Sequence, residues 1–559
     1  MTELTQEPTE RRLLRLHPDD DCLVAAISLQ AGEAVEVEGT LVELRVDVPV
    51  GHKIAAHSLS EGQAVRKCGA IIGRTTVGVS AGEHLHLHNL RSDYLPAHLV
   101  GGADAGDRMA PVATRPPSIV AGQQPTDGPG ASRRPAVPHA SLVERSLVAE
   151  SGQAAFEAAP FTGYLRSDGR KGIRNHLLVV YLVECAHHVA REIATGPHVA
   201  AREGTAVQVV GFPGCYPNHY AERVLTALCT HPNVGGCLLV SLGCESFDRQ
   251  ALSKAVRLSG RWVESLVIQR EGGTVLTVAR GRDLVEKGLE EIAEVERTPM
   301  AASELVVGTI CGGSDSTSTL TANPGVGRAF DRLVAAGARC IFEETGELIG
   351  CEEHLRERAS TPELGAELAG RITKAARYYE EMGHASIAPG NLAGGLTTIE
   401  EKSIGAYAKS GSSTISGVIE PGDLPLEGGL YLLDVVPDGS PQFGYPNIND
   451  TVEVVELIAC GSHVILFTTG RGSVVGSAIS PVIKVCANPD TYRRMADDMD
   501  VDAGRVLLGA SSLDYVGLEI FNLVLATAAG QATRSEALGH QEFQLGYKYF
   551  RALEPSCLA

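Results

Sequence analysis

The chain reads as an α/β protein, in which a small, mostly-β module precedes a large open α/β body. Three observations predict this. From about residue 161 to 559, continuous apolar runs alternate with amphipathic stretches, as expected of parallel strands covered on both faces by helices. Residues 11–98 instead carry short period-two runs broken by glycine, such as AVEVEGTLVELRVDVPV and AIIGRTTVGV, the pattern of short strands joined by tight turns. Between them, residues 101–160 are rich in Pro, Gly, Ala and Ser and show no apolar periodicity, which predicts a disordered linker.

Within the body, the strand-like runs are HLLVVYLV (176–183), AVQVVGF (206–212), GGCLLVSLG (235–243) and SLVIQ (265–269). ELVVGTI (304–310), GARCIFEE (337–344) and HVILFTT (463–469) follow. AERVLTALCTH and GRDLVEKGLEEIAEVE are the helical stretches between them. Two Rossmann-like subdomains are expected, 161–300 and 301–559. In open sheets of this kind ligands bind beyond the carboxyl ends of the strands, so the loops there are the place to look for chemistry.

At 559 residues the chain exceeds one ordinary domain, and its 44% apolar content is enough for large cores. The 68 acidic and 48 basic side chains give a net charge of -20. Such a chain repels nucleic acid and anionic membranes, so neither is an expected partner, and an anionic substrate needs a local basic pocket. The thirteen cysteines are irregularly spaced, and MTELTQEPTERRLLRLHPDDD has no apolar leader core. With no run of about 20 apolar residues, reduced thiols in the cytoplasm are expected.

Five segments carry candidate chemistry. CGGSDSTSTLTANPGVG (311–327) follows a strand and gathers Ser314, Asp315, Ser316 and Asn323 behind two glycines. It is either a hydroxyl-rich ligand loop or a capped helix start, and GGSDS also resembles the pyrophosphate loop of adenylating enzymes. GRGSVVGSAISPVIK (470–484) sets Arg471 between glycines, after Thr469 and before Ser473, as a carboxylate clamp, with Lys484 as a second cation. PGNLAGGLTTIEEKSIGAYAKSG (389–411) offers Asn391, Glu401 and Lys402, the last a candidate general base or a surface residue. FEETGELIGCEEH (342–354) offers Glu343, Glu344, Glu347, Glu352 and Glu353, carboxylates that suit a divalent cation or acid/base work, although most of them are expected on a solvated helix face. In GEHLHLHNL (82–90), His84, His86 and His88 alternate and in a strand share one face, a candidate metal or anion site; His52 and Lys53 add capacity nearby.

Taken in order, these segments resemble the altronate/galactarate dehydratase family. GHKIA, Lys67–Cys68–Gly69 and GEHLHLHNL are similar to its small SAF-type N-terminal domain. GYLRSDGRKGIRN, HPNVGGCLLVSLGCE and IQREGGT are similar to its middle region. CGGSDSTSTLTANP, EETGELIGCE, PGNLAGGLTTIEEKS, LFTTGRGSVVGS and DDMDVDAG are similar to its C-terminal region. The resemblance implies a metal-dependent hydro-lyase, using Fe(II) or Mn(II), that converts a small anionic sugar acid such as altronate or galactarate to a 2-keto-3-deoxy acid. It implies catalytic roles for Lys402, Glu401, Arg471 and Lys484. Ser314, Asp315, Ser316, Asn323, Asn391, Thr469 and Ser473 are then expected on the substrate, and His86, His88 and Cys215 on the metal. A homodimer is the expected assembly. The chain departs from the family at ECAHH (184–188) and PGCYPNHY (213–220), which leaves the identity of the acid open. A sulfolactate lyase and a non-catalytic sugar-acid-binding protein are the alternatives.

Overall fold

The computed structural model describes residues 12–94, 161–196, 205–383, 385–438 and 449–548. The segment expected to be a linker, 101–160, lies outside them. The N-terminal module is built from nine short strands: β1 (Leu13–Leu14), β2 (Cys22–Ala25), β3 (Ala34–Val37), β4 (Thr40–Glu43), β5 (Lys53–Ala55), β6 (Ala64–Lys67), β7 (Ala70–Thr75), β8 (His84–Leu85) and β9 (Leu90–Arg91). They pair antiparallel in three small sheets, ordered β1-β2-β5-β8, β6-β7-β9 and β3-β4. Two-residue turns close the β3-β4 and β6-β7 hairpins. Between β6 and β7, Cys68 and Gly69 both take positive φ, 55° and 77°, the turn whose twist matches that of its strands. This turn makes Lys67 the last residue of its strand.

Strands β10 (Phe161–Leu165), β11 (Lys171–Gly172) and β16 (Arg297–Met300) form a small antiparallel sheet that opens and closes the middle region. Inside that region, β12 (His176–Tyr181), β13 (Val207–Gly211), β14 (Val234–Ser241) and β15 (Trp262–Val267) make a parallel sheet ordered β13-β12-β14-β15. The larger sheet holds β17 (Val306–Cys311), β18 (Arg339–Phe342), β19 (Ile415–Ile419), β20 (Gly429–Leu433), β21 (Val464–Thr469), β22 (Val482–Cys486) and β23 (Val501–Asp502). All seven run parallel, in the order β19-β20-β18-β17-β21-β22-β23. The α/β architecture with a small strand-rich module is thus as expected, and each of the seven apolar runs contributes a strand, although SLVIQ (265–269) passes at Ile268 into a short helix, Ile268–Glu271.

Alternate residues of the large sheet feed different cores. Val306, Ile310, Ile465 and Phe467 pack with Leu178, Val180 and Leu239 of the middle sheet in one continuous cluster, while Val307, Leu466 and Ile483 fill the cluster on the opposite face. Helices His219–Cys229 and Asp450–Ala459 contribute to the shared core, so the two sheets are cemented across it. All described residues belong to one compact unit, joining residues before 103 to those from 160 onward. Among them, no helix is long and apolar enough to cross a membrane.

One expectation is corrected here. Lys484, placed in a loop by sequence, lies in the middle of the buried strand β22. Its charge interrupts the apolar run VIKVC, which concealed the strand.

Candidate active site

The large sheet reverses its winding between β17 and β21: β17 leads to its neighbour β18 on one side, and β21 to β22 on the other. Such a reversal leaves a crevice at the carboxyl ends of the two strands. The loops that follow them meet there. Gly312 N donates to Thr468 O (3.0 Å), and Gly470 N and Arg471 N both donate to Gly313 O (3.2 and 3.0 Å). The approach is so close that a Cβ on Gly470 would stand 2.1 Å from the Asp315 carboxyl group.

Asp315 organises the 312–318 loop. Its Oδ1 accepts from Thr317 N (2.9 Å), Thr317 Oγ1 (2.5 Å) and Ser318 N (3.1 Å), and Oδ2 accepts from Asn488 Nδ2 (3.2 Å). Burial raises its carboxyl above the ordinary range despite those bonds. Asn391 Nδ2 donates to Ser314 O (2.8 Å), fastening the 389–393 turn to the same loop.

The N-terminal module reaches this loop with two lysines. Lys67 Nζ donates to Ser316 Oγ (2.8 Å) and Glu401 Oε1 (2.7 Å). Lys53 Nζ donates to Glu401 Oε2 (2.9 Å), Thr397 Oγ1 (2.6 Å) and Gly395 O (3.1 Å). Glu401 is presented by helix Ile399–Lys409, whose N-cap Thr398 accepts from Glu401 N and donates to Ile72 O of β7. Burial alone would raise the Glu401 carboxyl, but the two ammonium groups prevail and hold it at about 2. Burial lowers Lys53 below its ordinary value; Lys67, also buried, is carried above its own by Glu401. One carboxylate between two ammonium groups leaves an excess positive charge at full burial.

Beside the lysines lies a group of imidazoles. His52 Nδ1 and His84 Nε2 are 3.0 Å apart, and the rings of His52, His84 and His86 lie 5.2–5.5 Å from one another, with His88 at 5.9 Å from His84. Only His84 and Leu85 form the strand, yet the rings gather as expected. Burial first, and then the neighbouring imidazoles at His52 and His84 or Lys53 at His86, push His52, His84 and His86 down to about 3, 2 and 4. They are therefore neutral at pH 7. His86 Nε2 faces Leu392 O at 3.0 Å, so that nitrogen carries the proton and Nδ1 carries the lone pair.

A third group follows β18. The carboxylates of Glu344 and Glu347 and the thiol of Cys311 place three donor atoms within 4.8 Å of one another. Glu344 takes the left-handed conformation (φ 80°), a strained choice for a side-chain-bearing residue. That backbone lets its Oε1 accept from Cys311 N (2.6 Å) while its other oxygen pairs with Lys409. Glu347 pairs with Lys402 Nζ (2.5 Å), which also donates to Ser386 O (2.7 Å). Burial would lower Lys402, but Glu347 raises it, so it is an ammonium. Ser314 Oγ and Glu347 both contact Cys311 Sγ (2.6 and 3.4 Å), and burial pushes that thiol up to about 12. The acidic run is a solvated helix face only at its end: Glu343 and Glu344 are buried, because the loop follows a central strand, whereas Glu347 and Glu352 are half-buried and Glu353 is exposed.

Arg471 is exposed on the crevice, its Nε 3.7 Å from where a Cβ on Gly390 would stand, and its guanidinium has no ion-pair partner among the described residues. Thr469 Oγ1 accepts from Gly472 N (3.0 Å) and Ser473 Oγ from Val475 N (3.2 Å), so both shape its loop. Lys484 Nζ instead bonds His540 Nδ1 (3.2 Å), and Asn323 Nδ2 donates to Gly405 O (3.0 Å), clamping a helix. Cys215 is exposed in the loop after β13; it does not join His86 and His88 in a three-donor group. Lys67 was not singled out in the sequence as a site residue, and Glu344 and Glu347 stood there only as members of an acidic run, most of it expected in solvent. The signal available for Lys67 was a lysine closing an apolar strand at a Cys-Gly turn.

Comparison with known proteins agrees along the chain. Residues 11–93 match the altronate/galactarate dehydratase SAF domain, 163–293 the second domain of D-galactarate dehydratase/altronate hydrolase, and 302–550 the D-galactarate/altronate dehydratase C-terminal domain. The chain is 27% identical to an altronate dehydratase of Bacillus subtilis (strain 168), over 96% of this chain and 98% of the relative. It is 27% identical to an altronate dehydratase of Escherichia coli (strain K12), over 95% and 98%. It is also 32% identical to the (2R)-sulfolactate sulfo-lyase subunit beta of Chromohalobacter salexigens, over 70% of this chain and 97% of the relative.

Proposed function

The chain belongs to the altronate/galactarate dehydratase family of hydro-lyases, and from that premise we propose that it eliminates water from a sugar acid such as altronate or galactarate, releasing a 2-keto-3-deoxy acid. One observation carries the reading to this site: a guanidinium with no ion-pair partner among the described residues, a buried positive lysine pair and a Cys/Glu/Glu donor set all border the 312–318 loop. Arg471 takes the substrate carboxylate in a bidentate pair. Removal of the C2 proton then develops enediolate charge, which the excess charge of Lys53 and Lys67 stabilises in a low-dielectric setting. Neutral His86, with its lone pair on Nδ1, is the base, and the Lys402 ammonium protonates the departing C3 hydroxyl. The C2–H and C3–O bonds break, a C2–C3 double bond forms, and the enol tautomerises to the ketone.

Cys311, Glu344 and Glu347 are the residues that would hold a divalent ion, Fe(II) or Mn(II), because one soft thiolate beside two hard carboxylates suits a borderline cation and the two carboxylates alone a harder one. The ion would supply Lewis-acid polarisation of the substrate oxygens. Binding would require the Cys311 proton to leave and the Lys402 and Lys409 ammonium groups to yield their carboxylates.

The reading is tested by incubating the full chain anaerobically with Fe(II) or Mn(II) and a panel of aldonates, aldarates and sulfolactate, and trapping 2-keto acid with semicarbazide. Keto-acid formation from an aldonate or aldarate is the expected result. Its absence across the panel, or sulfite release from sulfolactate alone, overturns the proposal.

A further inference from the structure

The middle sheet carries a second group of thiols. Of the twelve cysteines among the described residues, eight are buried and one is half-buried; the three exposed ones are Cys185, Cys215 and Cys244. Free cysteine is ordinarily among the most buried residue types, so three exposed thiols in one place require a reason. They do share one place. The three strands β13, β12 and β14 are adjacent and parallel, ending at Gly211, Tyr181 and Ser241. Cys215, Cys185 and Cys244 stand three or four residues past those ends, one on each successive loop. The loops are tied to each other: Glu184 N donates to Pro213 O (3.3 Å), and Ser246 N donates to Cys215 O itself (2.9 Å). This is again the carboxyl edge of an open parallel sheet, where ligands bind.

We propose that Cys185, Cys215 and Cys244 hold an iron–sulfur cluster of the [4Fe–4S] class through three thiolates. A single ion is a poorer fit. Zinc binds thiolate at about 2.3 Å and needs its donors nearly in contact, whereas these residues do not form a three-donor group within 4.8 Å of one another. A cube places each thiolate on a separate iron and so holds the sulfurs farther apart. Nearby carboxylates are committed elsewhere and do not complete a mononuclear set: Glu245 accepts from Gly243 N (2.8 Å) and Cys244 N (3.1 Å), and Glu184 pairs with His187 Nδ1 (3.0 Å). Three thiolates leave one iron of the cube without a protein ligand, open to an oxygen donor such as water, a hydroxyl or a carboxylate. The edge is also anchored to the C-terminal part, through Tyr547 OH to Tyr216 O (3.1 Å) and Asn218 Nδ2 to Lys548 O (2.7 Å). The inference does not depend on the sugar-acid reading.

The full chain is reconstituted anaerobically with ferrous iron, sulfide and dithiothreitol, then desalted and analysed for iron, acid-labile sulfide and visible absorbance. About four irons and about four sulfides per chain are expected, as in a [4Fe–4S] cluster. The triple variant Cys185→Ser/Cys215→Ser/Cys244→Ser falls to background, while Cys311→Ser, which alters the other donor set, keeps the cluster. Alkylation followed by peptide mapping gives a readout free of variants: in the reconstituted wild type these three cysteines are protected and become reactive when iron is chelated. Iron uptake without sulfide, an unchanged cluster in the triple variant, or unprotected thiols in the loaded wild type overturns the proposal.

Discussion

Arg471 and Glu401 are both charged residues of the candidate site, but their surroundings predict opposite outcomes on substitution. Arg471 is exposed and without an ion pair among the described residues, so Arg471→Ala leaves the melting temperature unchanged. Losing hydrogen bonds to a charged group costs roughly 1.5–3 kcal/mol, so kcat/KM falls about 10- to 100-fold; steady-state kinetics beside a thermal melt checks both halves. Glu401 is fully buried between Lys53 and Lys67. Glu401→Gln strands two ammonium groups and costs about 3–5 kcal/mol of stability. The pH dependence follows from the depressed carboxyl. Its folded value of about 2 lies below the roughly 4.3 of an unfolded glutamate, so its stabilisation is complete above that unfolded value and drains as pH falls towards 2. Melts of wild type and variant should differ by a constant amount from pH 8 to 5 and converge below about pH 4. Much of this was hidden in the sequence. Glu401 was visible as part of a candidate loop, but its partners lie 334 and 348 positions away, on strands of a different module. No local pattern pairs residues at that separation.

Among the elements, the strands legible in the sequence were those with unbroken apolar runs, because both faces of a central parallel strand are covered. β22 was lost to Lys484, and β19 to its half-exposed SGV centre, which an edge strand tolerates. The difference has a functional consequence. Lys484 sits within a sheet and bonds His540, which packs against Gly476 of the 470–481 loop. Lys484→Met is therefore expected to move kcat/KM less than tenfold, whereas a direct carboxylate ligand would cost far more; parallel kinetics on Arg471→Ala makes the comparison. The meeting of the two crevice loops gives a sharper element-level prediction. In Gly470→Ala the new methyl must displace Asp315, the hub of the 312–318 loop. Activity should fall at least about 100-fold, from the misplacement of substrate-holding groups, and hydrogen exchange should rise across residues 312–318.

At the scale of the whole molecule, the site is assembled from segments at both ends of the described chain. The small N-terminal module supplies Lys53, Lys67 and the imidazoles; the large sheet supplies the crevice, the Cys/Glu/Glu donor set and Arg471. The α/β class and the small β module were readable from period and composition, since those depend on local burial. The docking of one onto the other was not, since it rests on contacts between residues hundreds of positions apart, polar at Lys53 and Lys67 and apolar at Ile404 and Leu87. The central claim, that this assembled site removes water across C2 and C3 of a sugar acid, is tested most directly by following the reaction in D2O by NMR. Galactarate and altronate would be incubated anaerobically with the full chain and Fe(II) or Mn(II). The predicted product is a 2-keto-3-deoxy acid carrying solvent deuterium at C3, formed from at least one of them and formed about 10- to 100-fold more slowly by Arg471→Ala. Unchanged spectra for both substrates, or a keto acid without deuterium at C3, would contradict the account.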